Sequence, residues 1–231
     1  MVSVPSRFCQ ALVNVSKLID HTLLRPDATR ADIMRLCDEA REHGFFSVCV
    51  SSGWVAEAVR ALEGSGSLVA AVTGFPLGSM DSCAKAFETS RAVELGAAEI
   101  DTVLSVGRLK SGDRAGVLQD LLEVVRAAGP AKVKVILEVC LLDDEEKRTA
   151  CRLALDAGAA FVKTSTGFSS GGATAADVRL MAEAVAGKCL VKASGGIRDA
   201  RAARAMLEAG ASRLGTSSGI AIVRDFAQIP A

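Results

Sequence analysis

The chain has 231 residues, half of them apolar, with aromatics at only 4% and no tyrosine. That length suits one enzyme-sized core, and a core of Ala, Val, Leu and Ile suits helices packed on parallel strands. Basic and acidic side chains balance at 27 each, with no basic stripe or acidic tail, which argues against nucleic acid or an anionic membrane as a partner.

Residues 1 to 16 lack the continuous apolar segment of a signal peptide and read as a helical or irregular lead-in capping the bottom of the fold, ahead of a single domain at 17 to 231. No apolar run reaches the roughly 18 residues that a membrane span needs, so a cytoplasmic protein is expected. From there, short β-branched or apolar runs alternate with amphipathic stretches of helical length. The strand candidates are KLIDHT (17 to 22), FFSVCV (45 to 50), SLVAAVTG (67 to 74), AEIDTVL (98 to 104), KVKVILEV (132 to 139), AFVKTS (160 to 165), KCLVKAS (188 to 194) and SRLGTS (212 to 217).

Helix candidates such as ATRADIMRLCDEAREHG, DSCAKAFETSRAVELG, DDEEKRTACRLALDAG and DARAARAMLEAG fill the intervals. Gly44, Gly96, Gly158, Gly187 and Gly210 stand where these should stop. Eight helix-and-strand units in one chain indicate a closed β/α barrel, the TIM barrel. A doubly wound open sheet is the structural runner-up, but its usual GxGxxG is missing.

The seven cysteines are odd in number and include no CxxC pair. Most sit in apolar or helical runs (Cys37, Cys49, Cys140, Cys151, Cys189), as buried free thiols of a reducing compartment would. With only His21 and His43, well apart, a histidine-rich metal site is not expected.

In a barrel of this kind the informative positions are the carboxyl-terminal strand ends, where active sites of the fold are assembled. Four successive strand candidates end in a charged residue: Asp101, Glu138, Lys163 and Lys192. Alternation along a strand puts Glu99 with Asp101, Ile136 with Glu138, Phe161 with Lys163 and Leu190 with Lys192, so two carboxylates and two amines should converge in the interior. Such charges are costly in an apolar barrel unless paired, and a purely structural network is the bland alternative. The lysine pair favours chemistry, because a second ammonium and partial burial both lower an amine's pKa and free its lone pair for attack on a carbonyl. The segments TSTGFSSGGAT (164 to 174), SGGIRD (194 to 199) and GTSSG (215 to 219) then read as an anion cradle built from backbone N–H groups and hydroxyls, with Thr166, Gly167, Gly195, Gly196, Gly215, Ser217 and Ser218 as binding candidates.

LIDHTLL, VTGFPLG, EIDTVLSVGRLKSGD, VILEVCLLDDEEK, FVKTSTGFSSGGAT, VKASGGIRD and GTSSG, in this order from residue 18 to residue 219, closely resemble the short deoxyribose-phosphate aldolases of bacteria and archaea. The resemblance implies reversible cleavage of 2-deoxy-D-ribose 5-phosphate to acetaldehyde and D-glyceraldehyde 3-phosphate, with no metal or organic cofactor. It implies Lys163 as the Schiff-base lysine, Lys192 as the neighbour that depresses its pKa, Asp101 as the proton relay and Asp20 close to that relay. A homo-oligomer, dimer or tetramer, is expected. The chain reads IDTVLSVG where the family commonly has IDMVINIG, and EVC where it often has ETC, changes expected to bear on substrate fit and rate. With no tyrosine, the C-terminal tyrosine that some members bring to the site is missing, and Cys49, which matches a family cysteine, is read as core packing. Two rival readings stand beside the aldolase. One is a sugar-phosphate isomerase or epimerase in which Asp101 and Glu138 do the acid-base work, and the other is a barrel that binds sugar phosphates without turnover.

Overall fold

The computed structural model describes residues 14 to 226. A 3-10 turn (Val15–Leu18) leads into β1 (Ile19–Leu23), then α1 (Arg30–His43), β2 (Ser47–Ser51), α2 (Val55–Leu62), β3 (Leu68–Thr73), α3 (Ser82–Glu94) and β4 (Glu99–Val103). A short α4 (Val106–Lys110) and a long α5 (Arg114–Ala128) precede β5 (Lys132–Ile136). The chain continues with α6 (Asp144–Asp156), β6 (Phe161–Lys163), α7 (Ala175–Val185), β7 (Leu190–Ser194), α8 (Ala200–Glu208), β8 (Arg213–Thr216) and α9 (Gly219–Phe226).

The eight strands close in sequence order into one barrel, each parallel to both neighbours, and β1 completes the ring against β8. The expected TIM barrel is thus present, and the open sheet is excluded.

Local sequence explains where the helices begin and end. Thr29 and Asp143 open α1 and α6 with reciprocal capping boxes to Asp32 and Glu146, satisfying amides that the first helical turn leaves unpaired. Gly44 ends α1 in a left-handed conformation (φ 63°), a geometry that costs glycine little. The other four glycines named as stops also take positive φ.

Most strands start or stop a residue or more from the expected bounds, and two of these shifts come from a turn. Lys17 and Leu18 belong to the 3-10 turn rather than to β1, and β5 stops at Ile136 because Glu138 turns left-handed (φ 57°, ψ 63°). Most of the expected lead-in, residues 1 to 13, lies outside the described residues; Val15 and Ser16 are buried.

Apolar burial is divided. The main core fills the layer between barrel and helices, with Ile33, Leu36, Val48, Val50, Ile100, Leu121, Val135, Val162 and Leu214 among its members. Inside the barrel a small apolar cluster, Cys49, Ala70 and Val72, lies on the β2–β3 side, and Val103, Ile136 and Phe161 are buried on the inward faces of β4, β5 and β6. Around them the interior carries a dense set of buried charges. Cys37, Cys49, Cys151 and Cys189 are buried free thiols as expected, whereas Cys140 is exposed, because the 3-10 turn after β5 carries it outward. Among the described residues no helix is long and apolar enough to cross a membrane.

Candidate active site

β4 supplies the centre of the interior network. The Asp101 carboxylate accepts a hydrogen bond from Lys134 Nζ on one oxygen (2.7 Å) and from both Lys163 Nζ and Lys192 Nζ on the other (2.8 Å each). Lys192 also donates to Asp20, whose second oxygen accepts from Ser47 Oγ and Arg213 (2.8 Å each). Glu99, two residues before Asp101 and on the same face, pairs with Lys134 (2.7 Å) and Arg213 (3.1 Å). Phe161 and Phe46 flank the guanidinium of Arg213, the latter with its ring centre 3.4 Å away.

Three carboxylates (Asp20, Glu99, Asp101) therefore face four basic groups (Lys134, Lys163, Lys192, Arg213). Full ionisation would leave one uncompensated positive charge in a site sealed from water, which costs several kcal/mol. The group that yields is Lys163. Burial pushes its pKa below the ordinary lysine value and the Lys192 ammonium adds to the shift, against the opposing pull of Asp101. For Lys192 and Lys134 burial also works against the charge, but Asp101, joined by Asp20, outweighs it and their pKa values rise. Burial likewise opposes ionisation of Asp20 and Asp101, yet the surrounding cations hold both carboxyls well below the usual range. Of the three interior lysines, Lys163 is thus the one whose surroundings favour the neutral amine, while those of Lys134 and Lys192 favour the ammonium.

Lys163, Lys192, Asp101 and Asp20 come together as the sequence suggests. Glu138 does not join them. The left-handed backbone after Ile136 turns its carboxylate to Thr166, where it accepts from the backbone N–H (3.2 Å) and from the hydroxyl. The carboxylate pair required by an isomerase or epimerase reading is therefore not assembled. Leu190, expected inside, is 49% exposed at the first position of β7. Lys134 and Arg213 were not among the candidates drawn from the sequence. The register of the sheet could have found them: Lys134 pairs with Asp101, and Arg213 pairs with Lys192.

The three Gly- and Ser-rich segments meet at the barrel mouth. Gly172 packs so closely on the Gly195 carbonyl that a Cβ would overlap it, and Ala173 N–H donates to that carbonyl (2.9 Å). Thr216 Oγ1 donates to the Ile197 carbonyl (2.7 Å), tying the loop after β8 to the loop after β7. Gly167, Gly196 and Ser217 are exposed, and Gly167 and Gly196 have positive φ. Two binding candidates are placed otherwise. Thr166 is engaged by Glu138, and Gly215 faces the barrel interior, where a Cβ would lie 3.0 Å from Lys192 Cε. The absence of a side chain at Gly215 makes room for Lys192.

A cavity of about 100 Å³ opens at the mouth between β3 and β6, with Pro76, Leu77, Val103, Glu138, Thr166 and Phe168 among its walls. Val103 follows Asp101 by two residues on one face of β4, and Thr166 follows Lys163 by three. Of the residues that depart from the common family reading, Val106 lines this cavity and others lie away from it. Leu104 and Val139 pack in the core between barrel and helices, and Thr102 alternates away from Asp101. Among the described residues no group of three or more His, Cys, Asp or Glu could hold a metal ion.

Comparison with known proteins agrees with this geometry. The model of the DeoC/LacD family aldolases matches residues 14–228. A deoxyribose-phosphate aldolase of Geobacillus sp. (strain WCH70) is 56% identical over 211 residues, 91% of this chain and 95% of the relative, and one of Bdellovibrio bacteriovorus is 53% identical over 212 residues. A crystal structure of a putative deoxyribose-phosphate aldolase from Coccidioides immitis superposes with a TM-score of 0.92 at 40% identity, covering 95% of this chain and 88% of that one. The deoxyribose phosphate aldolase from Aeropyrum pernix, described as a unique tetrameric structure, gives 0.86 at 34% identity, covering 92% and 91%. A closed parallel barrel, an interior built around a buried lysine pair and a family match over nearly its whole length lead to one conclusion: this chain belongs to the DeoC/LacD family of aldolases.

Proposed function

We propose that the chain reversibly cleaves 2-deoxy-D-ribose 5-phosphate to acetaldehyde and D-glyceraldehyde 3-phosphate through an imine on Lys163. The observation that carries this reading is the charge excess around Asp101, relieved when Lys163 is neutral. The names of the relatives supply the substrate.

The neutral Lys163 amine attacks the aldehyde carbon of the open-chain sugar, and loss of water leaves an iminium ion. That cation accepts the electron pair of the C2–C3 bond once the C3 hydroxyl gives up its proton, yielding an enamine and glyceraldehyde 3-phosphate. Proton uptake at C2 and hydrolysis then release acetaldehyde and restore the amine. Asp101 is the proton relay. Held low by its cationic neighbours, it passes a proton on rather than storing it. Lys192, kept as an ammonium by Asp101 and Asp20, maintains the field that lowers Lys163. Asp20 in turn fixes Lys192 and Arg213.

The substrate phosphate lies against the loops after β6, β7 and β8, where Gly167, Gly195, Gly196, Ser217 and Ser218 offer backbone N–H groups and hydroxyls close to the start of α9. No step calls on a metal or cofactor. Free thiols fit a reducing compartment, so we place the enzyme in the cytoplasm, and the tetrameric relative supports assembly as a homo-oligomer. Reduction with borohydride in the presence of acetaldehyde tests the central claim. A lysine adduct confined to Lys163 is expected, and its absence would refute the imine route.

A further inference from the structure

The inward face of α3 is apolar only towards its end, at Ala92. Lys85, Glu88 and Thr89, spaced as one helical face, bind the ends of two barrel strands instead of packing as hydrophobes. Lys85 is fully buried, and its ammonium donates to Asp120 of α5 (2.7 Å), to the Val103 carbonyl at the end of β4 (3.0 Å) and to the Gly78 carbonyl (3.4 Å). Glu88 accepts the Gly74 N–H (2.9 Å) and the Ser52 hydroxyl (2.8 Å), and Thr89 donates to the Lys85 carbonyl (2.9 Å).

What these groups hold is the segment from Gly74 to Gly78. Gly78 N–H donates to the Gly74 carbonyl (2.8 Å), closing the loop on itself. Glycine is required at both ends. A Cβ on Gly74 would lie 2.8 Å from Lys85 Cε, and one on Gly78 would overlap the Leu104 carbonyl. Between them, Pro76 and Leu77 form one wall of the mouth cavity, and Phe75 meets Phe168 of the opposite wall edge-on, ring centres 5.2 Å apart. Val103, whose carbonyl Lys85 also grips, lines the same cavity.

A lysine and an aspartate buried this deeply are an expensive way to join two helices. Apolar side chains of similar volume would serve α3 and α5 at least as well. The ammonium adds something they cannot, a fixed donor aimed at two backbone carbonyls of the cavity wall.

We propose that Lys85, braced by Asp120, is a positioning residue that holds the Gly74–Gly78 loop as the rigid wall of the substrate pocket. The proposal rests on the aldolase reading for its substrate, but the loop's attachment can be measured independently. Lys85 touches none of the reacting groups, so its loss should weaken how substrate is held and leave the imine chemistry nearly intact.

Two variants test this. Lys85→Met with Asp120→Leu removes both buried charges together, avoiding an unpaired carboxylate, and should melt close to the wild type. Gly78→Ala pushes the loop off β4 and carries the Gly78 carbonyl away from the Lys85 ammonium while sparing the Lys85–Asp120 pair, so it tests the attachment even if the double variant fails to fold. In each, backbone amide exchange over residues 74 to 78 should quicken, KM for 2-deoxyribose 5-phosphate should rise about tenfold, and kcat should change less than about threefold. Wild-type exchange would overturn the proposal, as would faster exchange with an unchanged KM, which reduces Lys85 to a purely structural tie. A wild-type protein that fails to cleave the sugar phosphate would sink the aldolase reading instead; exchange in the variants would still decide whether Lys85 holds the loop.

Discussion

Lys163 and Lys192 donate to the same oxygen of Asp101, each from 2.8 Å, so neither ammonium can change its charge without the other responding. Replacing Lys192 with Leu removes the like charge that helps hold Lys163 down. The pKa of Lys163 must then rise, because the three carboxylates now match it with Lys134 and Arg213 as one of three cations. Activity at neutral pH should fall by orders of magnitude and recover in part as pH is raised. A pH-rate profile of Lys192→Leu with no displacement towards alkaline pH would remove the charge-lowering role from Lys192.

Acetaldehyde with borohydride should add about 28 Da to the wild-type chain by reduction of one lysine imine. Peptide mapping should find it on Lys163, and Lys163→Ala should neither take up the group nor cleave the sugar phosphate. Lys192 and Lys134 are held as ammonium ions and should remain unmodified. An adduct on either would reverse the assignment.

Phosphate recognition at the mouth predicts that 2-deoxyribose without its phosphate is a far poorer substrate. Gly196→Asp and Ser218→Asp should narrow that gap by harming the phosphorylated reaction alone, since a carboxylate there repels the dianion. Space exists at Gly196 for the new side chain, although its positive φ adds some strain. Equal losses on both sugars in these variants would argue that the loops only support the barrel.

Acid sensitivity follows from Asp20 and Asp101. Both carboxyls are held below their unfolded value of about 3.9. Their contribution is therefore complete above that pH and is lost as pH falls towards their folded values. Urea midpoints measured from pH 6 down to pH 2.5 should drop steeply at the acid end. Asp20→Asn should start lower at pH 6, having stranded Arg213 and Lys192, and decline less on acidification. Parallel curves for the two proteins would contradict the ionised, ion-paired state of Asp20.

Strand alternation and strand order made the barrel legible, together with Asp101, Lys163 and Lys192, because those side chains sit on strands in runs of plain period, whereas Asp20 entered through the family resemblance. Glu138 misled for a local reason. Its parity is right, but its own left-handed backbone, two residues beyond Ile136, breaks the period, and composition gives no warning of that. Lys134 and Arg213 were hidden by stagger. In a closed barrel the strands slide past one another, so a residue at or near the start of one lies level with the functional end of its neighbour. Arg213 opens β8 yet pairs with Lys192. Lys85 was hidden differently, since a lysine on an amphipathic helix is assigned to solvent unless its partner Asp120, on another helix 35 residues away, is already in view.

The bonds from Asp20 to Lys192 and Arg213 span 172 and 193 residues and cross the seam where β1 meets β8. During synthesis Lys163 is made before its neighbour Lys192 and well before Arg213. In a chain whose last strand is not docked on its first, neither full burial nor the completed ion network acts on Lys163, and it is an ordinary protonated side chain. Nucleophilicity arrives only with ring closure. An unfinished or unravelled chain therefore presents no reactive amine to the aldehydes around it, and the chemistry is switched on by the same event that completes the fold.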